Sequence, residues 1–310
     1  MYYKEAMIIT KLNGGLGNQM FQYACGRALA LRNNDLLKLD ISEYGPGRSN
    51  GIDAVREYSL SHFNIKEDIA GEKEATAARL PYGAFSNYFA IFRRKILRQF
   101  NVGFNSRILR AKTAGRTIYL DGFWQSEKYF ADCAETIRQD FTLKKPLSPA
   151  AQTIAGAIGQ QSGNGPSVSI HIRRGDVARN AATNPYYGIA TPEYYSRALV
   201  HVAEKLAARN MKNFRIFVFS DDIEWTKKNI AIPYPTTYVL GDDAKNNLPD
   251  HEEMTLMSMC DHNIVANSSF SWWGAWLNKN PDKIVIAPKE WSTRDKKWHT
   301  DTVPTTWTRL

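Results

Sequence analysis

The sequence predicts an α/β protein of two domains, each built on a parallel sheet. Three observations carry that expectation. Strand-like apolar runs alternate with amphipathic helical stretches, the βαβ order that gives parallel strands with helices on both faces. The breaker segment Gln160-Gln161-Ser162-Gly163-Asn164-Gly165-Pro166 follows a change of composition at Lys144-Lys145-Pro146. A chain of 310 residues is also long for one compact core. The boundary is placed at Pro146, giving domains of residues 1–145 and 146–310.

In the first domain, Met7 to Leu12 reads as a strand and Asn13-Gly14-Gly15-Leu16-Gly17-Asn18-Gln19 as a glycine-rich turn. Met20 to Arg32 is helical, with Phe21, Ala24, Cys25, Ala28 and Leu29 on one side. Leu36 to Asp40 is a second strand. Glu43 to Asn50 is loop-like around Gly45-Pro46-Gly47. Asn87 to Arg116 is basic and aromatic, with helical spacing in Phe89, Phe92, Arg93, Arg94, Lys95, Leu97 and Arg98. It is read as a surface helix whose basic face is solvated or touches anionic lipid or an acidic acceptor. Ile118 to Gly122 is a strand, and Phe123 to Phe130 leads into a helix.

The second domain alternates cleanly. Pro149 to Ile158 is helical, and Val168, Ile170 and Ile172 alternate with Ser169, His171 and Arg173, the period of a strand. Helices are expected at 192–209, 251–260 and 270–277, and strands at 214–219, 237–240, 263–266 and 283–286.

A net charge of +9 asks for an anionic partner without naming it. Three separated cysteines, Cys25, Cys133 and Cys260, form no CxxC pair, which argues against a zinc site or disulfide framework and for a reducing compartment. The amino-terminal segment has no long apolar core and no run reaches spanning length. The expectation is a cytoplasmic protein that meets a membrane, if at all, at its inner surface.

Four strand ends of the second domain bring chemistry together: His171-Ile172-Arg173-Arg174-Gly175-Asp176, Ser220-Asp221-Asp222, Asn267-Ser268-Ser269-Phe270 and the loop near Gly241-Asp242-Asp243. Ligands in open α/β sheets bind beyond the carboxyl ends of the strands. Paired guanidiniums there suit a phosphate; the plainer role is solvated loop charge, with one arginine paired to Asp176. The serine pair can cap a helix and offer donors to phosphate together. The glycine loop lacks the third glycine of GxGxxG, because Met20 stands there, and no P-loop exists. It is a close-approach turn for an anionic ligand or simply a tight turn. The acidic pairs are adjacent rather than alternate, and two arginines already serve a diphosphate, so no metal is expected.

Three segments in this order resemble the bacterial α-1,2-fucosyltransferases of glycosyltransferase family 11: Gly14 to Ala24, His171 to Asp176 and Ala266 to Leu277. Phe219 to Asp222 and Trp124 to Phe130 are in keeping with it. The resemblance implies a GT-B-like fold, two Rossmann-like domains facing a central cleft, with an acceptor-side first domain and a donor-binding second. It implies an inverting transfer of L-fucose from GDP-β-L-fucose to the 2-hydroxyl of a terminal galactose, without a cofactor or obligatory metal. Arg173 and Arg174 would hold the diphosphate, His171 would lie near guanine, and Ser268, Ser269 and Phe270 near phosphate. Asn18 would face the reaction centre, with Gly15, Gly17, Asp176 and Asp221 completing the donor site. Asp176 is read as orienting its arginines. Asp40 and Glu127 are candidate bases or ordinary structural carboxylates. The competing classes are a nicotinamide-dependent oxidoreductase, against which the incomplete fingerprint counts, and a non-catalytic glycan- or nucleic-acid-binding protein. Nucleic acid is not the expected partner.

Overall fold

The computed structural model describes residues 6–45, 56–79, 94–99, 104–160, 165–174, 190–240, 248–292 and 301–310. The chain divides into two compact units, residues 1–144 with 300–302 and residues 145–299 with 303–310. Both are helix-covered parallel sheets of the Rossmann kind, a GT-B-like pair of units.

The first unit runs β1 (Met7–Lys11), α1 (Leu16–Asn33), β2 (Leu36–Asp40), α2 (Glu72–Arg79), β3 (Arg94–Gln99), α3 (Ser106–Leu109), β4 (Thr117–Gly122) and α4 (Ala134–Asp140). Its strands pair in the order β2-β1-β4-β3, all parallel. Strand β1 is apolar on both faces because both are covered. Met7, Ile9 and Tyr119 pack with Ala75 and Ala78 of α2, while Thr10 donates to the Gln22 carbonyl of α1 at 3.2 Å. Helix α1 ends at Asn34, whose φ of 55° is left-handed, and the Asp35 N–H returns to the Ala30 carbonyl at 3.0 Å.

The basic stretch is not a helix where the sequence suggested one. Residues 94–99 form edge strand β3, in register with β4. The run Arg-Lys-Ile-Leu-Arg-Gln fits either period, and pairing with β4 decides it, placing Ile96 against the α2 core. Charges on an edge strand also deter pairing with another chain. The remainder of the predicted helix is partly outside the described residues; its described part holds only the short α3.

The second unit runs α5 (Pro149–Gly159), β5 (Ser167–Ile172), α6 (Pro192–Ala207), β6 (Arg215–Ser220), α7 (Ile223–Asn229), β7 (Thr236–Tyr238), α8 (Asp250–Met259), β8 (His262–Ile264), α9 (Ser269–Leu277), β9 (Val285–Ala287) and β10 (Thr308–Arg309). The sheet order is β10-β9-β8-β5-β6-β7. Counted from the unit's own start this is 3-2-1-4-5-6, the doubly wound order, with its reversal between β5 and β8. All six residues of β5 are buried. Val168, Ile170 and Ile172 pack under Tyr195, Leu199 and Val202 of α6. On the other face, Phe217 and Phe219 meet Ala151 and Ile158 of α5 and Leu256 and Met257 of α8. Ser148 and Thr191 cap α5 and α6, each followed by proline at the first helical position. Gly165 leads into β5 at φ +72°, and a Cβ there would lie 1.8 Å from the Asn213 carbonyl oxygen. Helix α7 and strand β10 carried no sequence signal; both are short.

The glycine loop is held from within. Gln22 is fully buried, donates to Asn13 Oδ1 at 2.8 Å and accepts from the Asn13 N–H at 2.9 Å. Gln22→Leu keeps the volume and strands these partners, so we expect a loss of about 1–3 kcal/mol in denaturant unfolding.

Candidate active site

Each unit has a strand-order reversal, and the motifs singled out in the sequence lie at those two places. In the first unit the reversal is between β1 and β4. Gly14 turns the chain after β1 with φ +76°, and a Cβ on it would come within 2.7 Å of Asn18 Nδ2. Gly15 is the N-cap of α1 and has no side chain to cap with; its carbonyl accepts from the N–H groups of Asn18 and Gln19 at 3.0 and 3.1 Å. Gly17 is buried in the first turn. Asn18 is half-buried, and Gln125, from the loop after β4, donates to its Oδ1 at 2.8 Å. That contact spans the reversal and sets which way the Asn18 amide points. The loop reaches it by a left-handed Trp124, φ 53°.

Gln19, at the start of the helix, is engaged within the protein. It is fully buried, donates to the carbonyls of Gly14 and Glu57 at 3.1 and 2.8 Å and accepts from the Ser59 N–H. Asp40 is not placed as a base. It is 1% exposed, accepts from Tyr119 Oη at 2.6 Å and the Ser42 N–H at 3.1 Å, and lies 3.3 Å from Arg79 Nε. Glu127 opens a 3-10 turn capped by Ser126 and sits half-buried in the field of Arg138.

In the second unit β5 and β8 part company at the reversal. His171, at the end of β5, lies 5.5 Å from the Phe270 ring at the start of α9, so the two motifs touch across the switch point. Burial, with help from the Arg173 charge, pulls the His171 pKa down to about 3, so the imidazole is neutral. Its Nδ1 is buried without a hydrogen-bond partner. Arg174 is gripped from two sides: its N–H donates to Asp221 Oδ1 at 2.8 Å and its guanidinium lies over the Trp225 ring, 3.7 Å from the centroid. Stacking uses the π face and leaves the N–H edge for a ligand. Asp222 caps α7 by accepting from the Trp225 N–H at 3.1 Å, which fixes the platform. Ser268 caps α9, accepting from the Phe270 N–H at 3.3 Å, and Ser269 is half-buried beside it. Arg173 is half-buried. Asp176 and the 241–243 loop lie outside the described residues. Among the described residues no group of three metal-binding side chains converges.

Four residues of these sites were not singled out as site residues in the sequence. Gln125 and Trp225 are positioning groups with no spacing signal. Asp121 is the last side chain of β4, before Gly122, much as Asp40 ends β2, so the same cue existed; its Oδ1 is buried without a hydrogen-bond partner. Glu253 of α8 is 8% exposed, and desolvation, then the charges of Asp250 and Asp221, push its pKa up to about 8. A carboxyl raised in the folded state stabilises fully below its unfolded value of 4.5 and loses that contribution as pH rises through 8. Melting temperature should therefore fall between pH 5 and about 9, and Glu253→Gln should flatten that fall and melt higher at the alkaline end.

A family model described as Glycosyl transferase family 11 matches residues 1–310. An Escherichia coli alpha-1,2-colitosyltransferase is 34% identical, covering 98% of this chain and 99% of its own. The Escherichia coli O-antigen biosynthesis glycosyltransferase WbnK is 31% identical, covering 92% and 95%. Among solved structures, a mutant of Arabidopsis thaliana FUT1 in complex with GDP shares the fold at TM-score 0.50 and 11% identity, over 97% of this chain and 75% of that one. The motifs at the two strand reversals thus occur in a chain matched along its whole length, and the protein belongs to glycosyl transferase family 11 and is a glycosyltransferase.

Proposed function

We propose that the protein is an inverting α-1,2-fucosyltransferase that moves L-fucose from GDP-β-L-fucose to the 2-hydroxyl of a terminal galactose in a glycan. The observation that carries this reading is Arg174, fixed over Trp225 and by Asp221 at the strand reversal of the second unit. The acceptor hydroxyl oxygen attacks the anomeric carbon and gives its proton to water or the departing diphosphate, while the bond from that carbon to the diphosphate oxygen breaks and its electron pair stays on GDP. A planar cation held in place before the reaction stabilises that developing charge without reorganisation. The second unit is the donor domain in this reading, with neutral His171 and Phe270 beside the base and Ser268, Ser269 and Arg173 at the phosphates. Gly15, Gly17, Asp176 and Asp221 complete the donor contacts. Asn18, oriented by Gln125, is the first unit's contribution to the reaction centre. No metal or cofactor is invoked, so turnover should persist in EDTA.

The 34% identity to a colitosyltransferase favours a second donor. Colitose is L-fucose without its 3-hydroxyl, so the same diphosphate chemistry serves both sugars. The deciding experiment supplies GDP-fucose and GDP-colitose separately with lactose and follows GDP release and the linkage by NMR. We expect an α-1,2-fucosylated product; transfer from GDP-colitose alone would replace the donor, and no transfer from either would overturn the reading.

Arg174→Lys should lower kcat roughly a hundredfold to a thousandfold, the cost of one preorganised donor. Trp225→Phe should keep most of the turnover and Trp225→Leu should not, because the arginine then loses its platform while Asp221 still holds its backbone. Asn18→Ala should also be severely impaired. Comparable rates for Trp225→Leu and wild type would remove Trp225 from this role.

A further inference from the structure

The chain's charge is not spread evenly. Nine arginines and lysines, and not one aspartate or glutamate, stand between Glu74 and Asp121, a number equal to the net charge of the whole protein. The part of this stretch that leads into β4 is packed on the end of α1. Asn33 Nδ2 donates to the Ala111 carbonyl at 3.1 Å, the Thr113 N–H donates to Asn33 Oδ1 at 3.2 Å, and Thr113 Oγ1 donates to Asp35 at 2.7 Å. These bonds place residues 107–116 at the amino ends of the parallel strands, the pole opposite the glycine loop. A five-residue strand separates the two poles by about 17 Å.

Arg107, Arg110, Lys112 and Arg116 are all exposed there, and none forms an ion pair with an acidic side chain among the described residues. The nearby carboxylates are engaged: Asp132 pairs with Arg32 at 2.5 Å, and Asp35 takes the Thr113 hydroxyl. Leu31 and Leu36 open to solvent at the same pole, 42% and 49% exposed. Cations beside exposed leucines match an interfacial surface, whose charges meet lipid phosphates and whose apolar side chains enter the headgroup boundary. A single-stranded nucleic acid would call instead for an open aromatic platform. Phe104 and Tyr119, each three residues from one of these cations, offer none: the Phe104 ring lies against Tyr129 at 5.0 Å and Tyr119 is 1% exposed.

We propose that the amino-end pole of the first sheet, formed by Arg107, Arg110, Lys112, Arg116, Leu31 and Leu36, is a docking face for an anionic phospholipid surface. Within the first unit the face is at the pole opposite Asn18 and the glycine loop, so it anchors the enzyme without entering the reaction. Its Arg116 adjoins the amino end of β3, where Arg94 pairs with Thr117; the sequence had suggested a lipid-binding helix over that segment, and residues 94–99 form a strand.

The full chain is sedimented with vesicles of pure phosphatidylglycerol and of pure phosphatidylcholine. We expect binding to the first, reversed by salt, and little to the second. The combined variant Arg107→Gln, Arg110→Gln, Lys112→Gln, Arg116→Gln should lose two to three orders of magnitude of partitioning, from about fivefold per charge. Its turnover of a soluble acceptor should equal that of wild type, which also shows that it folds. Leu31→Ser with Leu36→Ser should weaken vesicle binding several-fold at unchanged charge. Equal binding to both lipids, retention of the four-site variant on phosphatidylglycerol, or capture of a single-stranded oligonucleotide without vesicle binding would each overturn the proposal. Undiminished binding by the leucine variant would overturn the bilayer assignment in favour of a purely electrostatic contact.

Discussion

Strand β5 hydrogen-bonds to β6 on one side and to β8 on the other, and the chain leaves these two pairings in different directions. That single arrangement decides where chemistry can happen in the second unit. Loops after β5 and β8 must diverge, because each continues to a helix on a different face of the sheet. The divergence leaves room at one edge, where His171 on one side meets Phe270, capped by Ser268, on the other. The burial of all six β5 residues keeps that edge from shifting. The first unit repeats the arrangement with β1 and β4, where Asn18 and Gln125 meet across the gap.

Rigidity at these edges is obtained by spending side chains on backbone. Gln19 and Gln22 satisfy the glycine loop, Ser220 and Thr226 share hydroxyls beneath α7, and Asp222 caps the helix that carries Trp225. In the proposed reading, two of the polar atoms left over face the ligand. His171 Nδ1 and Arg174 Nε are buried without hydrogen-bond partners, each at a cost on the order of 1–3 kcal/mol in the free protein. Buried polar atoms left unsatisfied at the carboxyl edge of a parallel sheet are most simply understood as held ready for one.

Much of this was legible in the residues. The alternation of Val168, Ile170 and Ile172, the breaker before Pro166 and the paired arginines announce a strand, its unit and its charged end. The glycine loop announces the other. What stayed hidden was relational. Asp40 and Asp121 both end strands, and only packing shows that Tyr119 and Arg79 engage the first while one oxygen of the second has no partner. Arg94 to Gln99 satisfies strand and helix periods alike, so its neighbour β4 had to settle it. Trp225 lies on a seven-residue helix too short to leave a period, and its role depends on an arginine 51 residues earlier in the chain.

The outer strands of both sheets carry one more consequence. In the first sheet β3 carries the exposed Arg98, and β2 is shielded where Leu39 exchanges backbone bonds with Asp68 and Ala70. In the second, β7 has three residues and β10 two. A chain with eight tryptophans and a 12% aromatic content would aggregate readily if any of these offered a long bare ladder. None of the described ones does. Short or charged margins disfavour strand-to-strand pairing between copies, so an assembly through these described strands would use side-chain faces instead.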